Sequence, residues 1–475
     1  MPTTNGNRKI LDTKRWEYMT PAPANTAAGS FIASSRHYRQ QQLYVQAQTV
    51  AYLYNPNEDG WVQTPSPGLA VALAAGSSGT AGSFSTGSTI AAASLTATAG
   101  TTSTITTNQT LARDLRGYSI QILAGPNAGV TLPIVSNDIG VNAVITVATQ
   151  ASAFSNATVY RLVTPVWYVG LGGSTAAASF RKYDFATNSW TTLANMPASI
   201  GTDARLMATP SWVDSAYVSF ATGTATAGAA TTLTNTGKAW TTNQWTNYQL
   251  RITGGTGAGQ IRTVASNTAT VITVGAAWTT NPDATSTYAL EGNDDFLYLI
   301  GNAAVALYRY SITSNTWSTI TPTAARGGAP GAGLSGQWIW GVTQADWTNE
   351  SAIRNGRFLY SFRGGAGAQL DRYDIALNAW SAVTYAPAVE TFTTGSKWIY
   401  VGDYLYGTKE VTGRWFRYDI AASGMDGMTT MNVAQGAALV GDTAFDVVYK
   451  DGATSIPYLH MVMNTSNIHA RMMVI

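Results

Sequence analysis

The chain has 475 residues and a formal net charge of +2, and only 11% of its residues are charged, against roughly a quarter in an average soluble protein. Lys and Arg form no block able to neutralise a run of phosphates, which argues against nucleic acid as a partner. The absence of cysteine removes disulfides, Cys-ligated zinc and thiol catalysis together.

Residues 1–9 are polar, carry no apolar periodicity and no signal-peptide core, and are expected to be a flexible arm. From residue 10 to 78 the text becomes strand-like. Trp16, followed by Met19 and Pro21, reads as the outgoing strand of a repeat whose incoming strands are missing, much as Met196 and Pro197 follow Trp190. Tyr54 to Trp61 is then the first of five versions of one phrase, the others running from Tyr183 to Trp190, Tyr310 to Trp317, Tyr373 to Trp380 and Tyr418 to Met425. Each has an aromatic at the start, turn-forming residues in the middle and a Trp or Met at the end, with alternating strands on both sides. That is the pattern of a β-hairpin. The apolar run Leu69 to Ala75 that follows the first phrase is the longest in the chain and far too short to cross a bilayer.

Two long intervals, between Trp61 and Trp190 and between Trp190 and Trp317, hold a second kind of repeat. Leu115 to Gly129 lies over Trp245 to Gly259 without a gap, Val144 to Val147 matches Val271 to Val274, and Tyr160 matches Tyr288. We therefore expect two copies of one small β-domain, at 79–164 and 222–291, inserted between an apolar strand (Leu69 to Ala75; Tyr217 to Ala221) and the next (Val166 to Leu171; Phe296 to Ile300). Equivalent insertion points should make the two copies project side by side. The Ser-, Thr-, Ala- and Gly-rich text from Ser77 to Thr107 begins as an expected mobile connector.

Residues 165–221 and 292–475 continue the repeating body, and the last strands (444–449, 457–463, 468–475) supply what the N-terminus lacks. The expected fold is all-β: a six-bladed β-propeller closed by its N- and C-terminal strands, with two homologous β-domains inserted in equivalent loops of adjacent blades.

Candidate sites are few. The loop Asn55 to Gly60 alternates oxygen side chains as a calcium loop does, yet its twelfth position is Ser66 and the same slot elsewhere is a turn. Gly254 to Gly259 resembles a phosphate-cradling loop but lacks the following Lys-Ser or Lys-Thr, so a tight hairpin explains it. Trp338, Trp340, Trp398, Tyr400, Tyr404 and Tyr406 are expected to fill the core. Trp347, with Asn349 and Glu350 in the same loop, is the aromatic best placed for an exposed, sugar-stacking role. Trp245 and Trp278 join these three as a candidate interaction surface on the second insertion. Asp203, Asp214, Glu291, Asp294 and Asp295 are scattered without an acid/base pairing, and His460 and His469 are expected to be structural. No cofactor, metal or catalytic residue is expected.

The phrases ending at Trp190 and Trp380, with Gly172-Gly173 and Gly364-Gly365 upstream, resemble kelch repeats. The resemblance implies a propeller of four-stranded blades. A galactose-oxidase-type activity, which needs a Cys-Tyr crosslink, does not carry over to a chain without cysteine, and the boxes of sialidase propellers are absent. The insertion text from Gly257 to Val274 and from Trp278 to Tyr288 is similar to small β-modules of tailed-bacteriophage structural proteins. That similarity implies a non-enzymatic virion component (neck, tail, fibre or head decoration), assembled in the bacterial cytoplasm. Its expected partners are other virion proteins and further copies of itself, with neither nucleic acid nor membrane insertion. The alternative is a host receptor- or glycan-binding phage protein using the insert tips or the Trp347 loop.

Overall fold

The computed structural model describes residues 16–25, 31–34, 43–47, 49–55, 59–63, 73, 78–81, 88–89, 94–111, 115, 119–128, 131–164, 166–172, 179–184, 189–198, 205–208, 212–213, 216–217, 219–291, 296–300, 306–312, 314–327, 336–339, 358–362, 369–383, 398–401, 404–409, 414–419, 424–427, 444–450, 456–462 and 467–473. Among these the chain is all-β, built of antiparallel sheets and without a helix.

Six of the sheets have four strands each. Sheet I is Phe31–Ser34, Leu43–Ala47, Val50–Asn55 and Gly60–Gln63. Sheet II is Ser78–Ala81, Val166–Gly170, Phe180–Asp184 and Ser189–Thr192. Sheet III is Arg205–Ala208, Phe296–Ile300, Leu307–Ser311 and Thr316–Ile320. Sheet IV is Gly336–Ile339, Phe358–Phe362, Leu370–Asp374 and Ala379–Val383. Sheet V is Trp398–Val401, Tyr404–Lys409, Arg414–Asp419 and Gly424–Gly427. Sheet VI takes three strands from the C-terminal end, Ala444–Lys450, Ile456–Val462 and His469–Met473, and its fourth, Trp16–Tyr18, from the other end of the chain. In that last pairing Trp16 lies opposite Met472 and Tyr18 opposite Ala470.

The first strand of each sheet lies against the first strands of two others. Phe31–Ser34 touches those of sheets VI and II, Arg205–Ala208 those of II and IV, and Trp398–Val401 those of IV and VI. The second strands of sheets II and III, Val-Trp-Tyr-Val-Gly and Phe-Leu-Tyr-Leu-Ile, are buried at every position. A continuous apolar run is what a strand covered on both faces needs. The fourth strand of sheet III, by contrast, is mostly exposed.

All five phrases form the hairpin between the third and fourth strands, with first and last residues paired: Tyr54 with Trp61, Tyr183 with Trp190, Tyr310 with Trp317, Tyr373 with Trp380, and Tyr418 with Met425. In the four Tyr–Trp pairs the ring centroids are 4.9, 5.1, 5.1 and 5.4 Å apart, within the range in which tilted aromatic pairs attract.

The two long intervals fold as sheets of their own. Module 1 has eight strands between Ser88 and Thr164, and module 2 has seven between Ser219 and Glu291. The seven strands of each hydrogen-bonded path follow the same order, and both modules carry β-bulges at matching places, Ile134/Ser136 and Val264/Ser266. Each module lies between the first and second strands of its sheet, II for module 1 and III for module 2.

Two details differ from the sequence expectation. Ser78–Ala81, of which 79–81 fall inside the range assigned to module 1 and all four inside the expected connector, pairs with Val166–Gly170 as a strand of sheet II. Residues 219–221, the end of the run expected to precede module 2, continue into 222–224 as one strand, Ser219–Thr224, that pairs with Thr287–Glu291 inside the module. Small residues suffice for the first because its neighbour supplies the bulk. Of the run Leu69 to Ala75 only Leu73 is described, and it is buried.

Candidate functional site

The turn phrase does more than reverse the chain. Its sixth residue is Asp59, Asn315 or Asn378, in the left-handed conformation with φ of 46°, 51° and 49°. Asn and Asp tolerate that region best among residues with a side chain. The same side chain accepts a hydrogen bond from the Tyr hydroxyl that opens the phrase, at 2.7 Å in each of Tyr54–Asp59, Tyr310–Asn315 and Tyr373–Asn378.

The turn so fixed then holds the segment leaving another sheet. Thr20 N donates to Asp59 Oδ1 (3.0 Å) and Thr20 O accepts from Trp61 Nε1 (2.8 Å). Ala194 does the same with Asn315 Oδ1 (2.9 Å) and Trp317 Nε1 (3.1 Å). Thr321 O accepts from Asn378 Nδ2 (2.9 Å). Thr20, Ala194 and Thr321 all stand at the same offset after Trp16, Trp190 and Trp317, so the repeat sets the joint as well as the hairpin. Below the last of these joints Arg326 and Asp371 form a buried ion pair at 2.8 Å, with Ser361 Oγ 3.0 Å from the guanidinium and the Trp380 ring beneath it. The pair is satisfied on both sides, which is the condition for a buried charge to be tolerated.

Asp59 is thus a structural acceptor in this turn. Partial burial pushes its carboxyl up, and the bonds from Tyr54 and Thr20 outweigh this and hold it below the usual carboxylate range. Among the described residues no group of three or more His, Asp or Glu is placed to hold a metal ion.

Sheets VI and I meet at the two buried histidines. His460 Nδ1 lies 2.9 Å from His469 Nε2, and His469 Nδ1 lies 3.3 Å from Thr20 O. A carbonyl only accepts, so His469 carries its proton on Nδ1 and its Nε2 accepts from His460 Nδ1–H. His460 Nε2 is then a bare lone pair, buried and without a hydrogen-bond partner. The Tyr54 ring stands edge-on to His469 at 4.4 Å. Burial holds both imidazoles below their ordinary pKa, His469 at about 4.

Module 2 is seated on the body through side chains that sequence reasoning did not single out. Gln244 Nε2 donates to the carbonyls of Ile375 (2.8 Å) and Ala376 (2.9 Å), in the turn of the fourth phrase. Asn378 Nδ2 reaches Thr241 Oγ1 at 3.2 Å. The Tyr248 hydroxyl meets that of Tyr298 at 2.9 Å, and the guanidinium of Arg309 lies over Phe296 at 4.4 Å. Burial pushes the Tyr248 phenol well above its usual pKa. One continuous core runs from module 2 (Leu233, Trp245, Tyr248, Ile272) into sheets III and IV (Phe296, Tyr298, Leu359, Tyr373). Among the described residues, the core cluster of module 1 holds only residues 95–162.

These facts correct part of the expected interaction surface. Trp245 is fully buried and Trp278 only 5% exposed, with Arg262 over its ring. A small β-module needs bulk inside, and Leu115, which aligns with Trp245, is buried as well. Trp347, Asn349 and Glu350 lie outside the described residues. The glycine loops are hairpin turns. A Cβ on Gly255 would fall 2.1 Å from Thr285 O, and one on Gly125 would fall 2.3 Å from Ala157 O, both at positive φ. No protein-family model matches the chain, and no curated protein matches it.

Proposed function

We propose that the chain is a six-bladed, kelch-like β-propeller closed by its N- and C-terminal strands, and that it serves as a non-enzymatic structural component of a bacteriophage virion. The observation that carries the scaffold half is the sharing of sheet VI between Trp16–Tyr18 and three C-terminal strands, together with the cyclic order in which the first strands touch. A blade sewn from both ends resists opening, because unfolding one terminus breaks strand pairing at the other.

The virion half is supported by composition and by the modules. A surface kept soluble by hydroxyls and amides, a chain without cysteine, and two β-modules held by one scaffold suit a part that makes many weak contacts at symmetric positions. Such contacts become strong through effective concentration. The partners are other virion proteins and further copies of the chain, and the location is the particle, in its neck, tail, fibre or head decoration.

The test is mass spectrometry and immunogold labelling of purified particles from cells expressing the gene. The expected result is the intact chain in the particle at a fixed copy number. A chain found only in the lysate supernatant overturns the reading.

A further inference from the structure

Module 1 carries an apolar loop that module 2 lacks. Between matched strands module 1 has Asp138 to Ala143 where module 2 has only Thr268 to Thr270. Within that extra length Ile139 is 68% and Val141 76% exposed, the two most exposed large hydrophobic side chains among the described residues. The loop is built rather than loose. Gly140 exchanges two backbone hydrogen bonds with Leu111, at 2.9 and 2.8 Å, and Asp138 N donates to Val144 O at 3.0 Å. Holding two aliphatic side chains in water on a pinned loop gains nothing for the isolated chain.

The place of the loop says what it meets. Leu111, to which it is pinned, aligns with Thr241, and Thr241 is the residue of module 2 that touches Asn378 in the fourth phrase. The apolar loop of module 1 therefore occupies the face with which module 2 grips a hairpin turn of this chain. At the tip of that same turn Leu377 is 63% exposed, although its neighbours Ile375 and Asn378 are buried. One chain thus presents an exposed apolar loop and an exposed turn tip. Neither covers the other within the chain.

We infer that the Ile139–Val141 loop of module 1 docks on the Leu377 turn of a second copy of this chain. The contact is heterologous, loop of one copy on turn of the next, so it builds a ring if the rotation closes. This deepens the multicopy part of the proposed function and rests on it only for the biological setting.

The absence of cysteine makes the test specific. The single variants Val141→Cys and Leu377→Cys, each on the full chain, are mixed and treated with a short bismaleimide. The expected result is a 141–377 crosslink at least about tenfold more abundant than the 141–141 and 377–377 products, where random collision gives no such preference. In sedimentation, Val141→Asp and Leu377→Asp should each weaken self-association by about tenfold or more, as loss of one buried aliphatic contact requires. Statistical crosslinking, a 141–141 product in excess, or a wild-type chain that stays monomeric at the concentrations of the crosslinking experiment overturns the inference. None of these bears on whether the chain is found in particles, so the two readings fail separately.

Discussion

Modules 1 and 2 share one fold and differ in the core contacts that the described residues make with the body. Their capping interactions are the same: Asn137 Oδ1 accepts from Leu115 N at 2.6 Å, and Asn267 Oδ1 from Trp245 N at 2.8 Å. Yet module 2 shares its core with sheets III and IV, whereas among the described residues the core cluster of module 1 holds module residues alone. The difference sits in a few side chains. Where module 2 has Gln244, able to donate to two carbonyls, the aligned residue of module 1 is Asp114, which cannot. Where module 2 has a short Thr-Ala-Thr turn, module 1 has the apolar loop. The two copies share a fold, and the side chains that differ between them include those with which module 2 braces the scaffold.

The largest expected effect removes the ground beneath module 2. Asp371→Ala leaves the guanidinium of Arg326 buried without its carboxylate, at a cost of about 3–5 kcal/mol. Thermal unfolding should show sheet IV and module 2 lost together, with module 1 still protected in hydrogen exchange. Loss of all three at once would mean that module 1 also depends on this seat.

The joint of sheets VI and I bears no module and serves as the internal control. Both of its histidines are held neutral by burial, with Asp59, Tyr54 and Arg471 as the titratable groups around them. A depressed imidazole pKa means that the unfolded chain binds the proton first. The stabilisation is complete above pH 6.5 and is lost as the pH falls from 6.5 towards 4. For His469 alone the shift from 6.5 to about 4 corresponds to about 3 kcal/mol, and the lowered Asp59 adds loss of the same sign in more acid solution. His469→Gln should roughly halve the slope of denaturant-derived stability against pH across that window, since His460 still titrates, while the modules' own exchange protection stays unchanged.

Much of this organisation was legible in the sequence, and the reason is period. A hairpin whose first and last residues are a cross-strand aromatic pair must recur as Tyr and Trp at fixed spacing, so Tyr310 and Trp317 announce their own register. The likeness of Leu115–Gly129 to Trp245–Gly259 likewise exposed the two modules and their equivalent places in sheets II and III. The seat of module 2 left no such trace. Gln244 and Ile375 are far apart in sequence, and the acceptors are backbone carbonyls, which any residue supplies. Ser78–Ala81 was hidden because a strand of Ser, Gly, Thr and Ala has no apolar alternation to read. Trp245 and Trp278 were misplaced on the surface because a Thr-rich neighbourhood looks solvated, although aligned Leu115 already marked the first as a core position.

A smaller effect probes what the modules still share. Gly125→Ala and Gly255→Ala each force a Cβ against a carbonyl at positive φ, at a cost of about 2 kcal/mol. The local strain is equal, and its reach is not. In module 1 the lost protection should stop at the module boundary, because among the described residues its core cluster holds only residues 95–162. In module 2 it should extend to Phe296 and Tyr373, which belong to the same core. Equal reach in hydrogen exchange would erase the distinction between the docked and the free copy.

The smallest change is the most direct. Gln244→Glu keeps the length of the side chain and the oxygen that accepts from Thr241 N, and it replaces the donor that serves Ile375 O and Ala376 O. The seat is only partly buried, so water can reach the freed carbonyls, and the loss should be about 1 kcal/mol rather than the full penalty of an orphaned buried group. Global stability will hardly register it. The rate of limited proteolysis in the 241–247 loop should rise about fivefold, with module 1 unaffected, because a docked copy has been moved one step towards the condition of the free one. If Gln244→Glu leaves that rate unchanged, the apolar contacts of Tyr248 and Phe296 alone hold the module. Asp114 would then no longer account for the difference between the two core clusters.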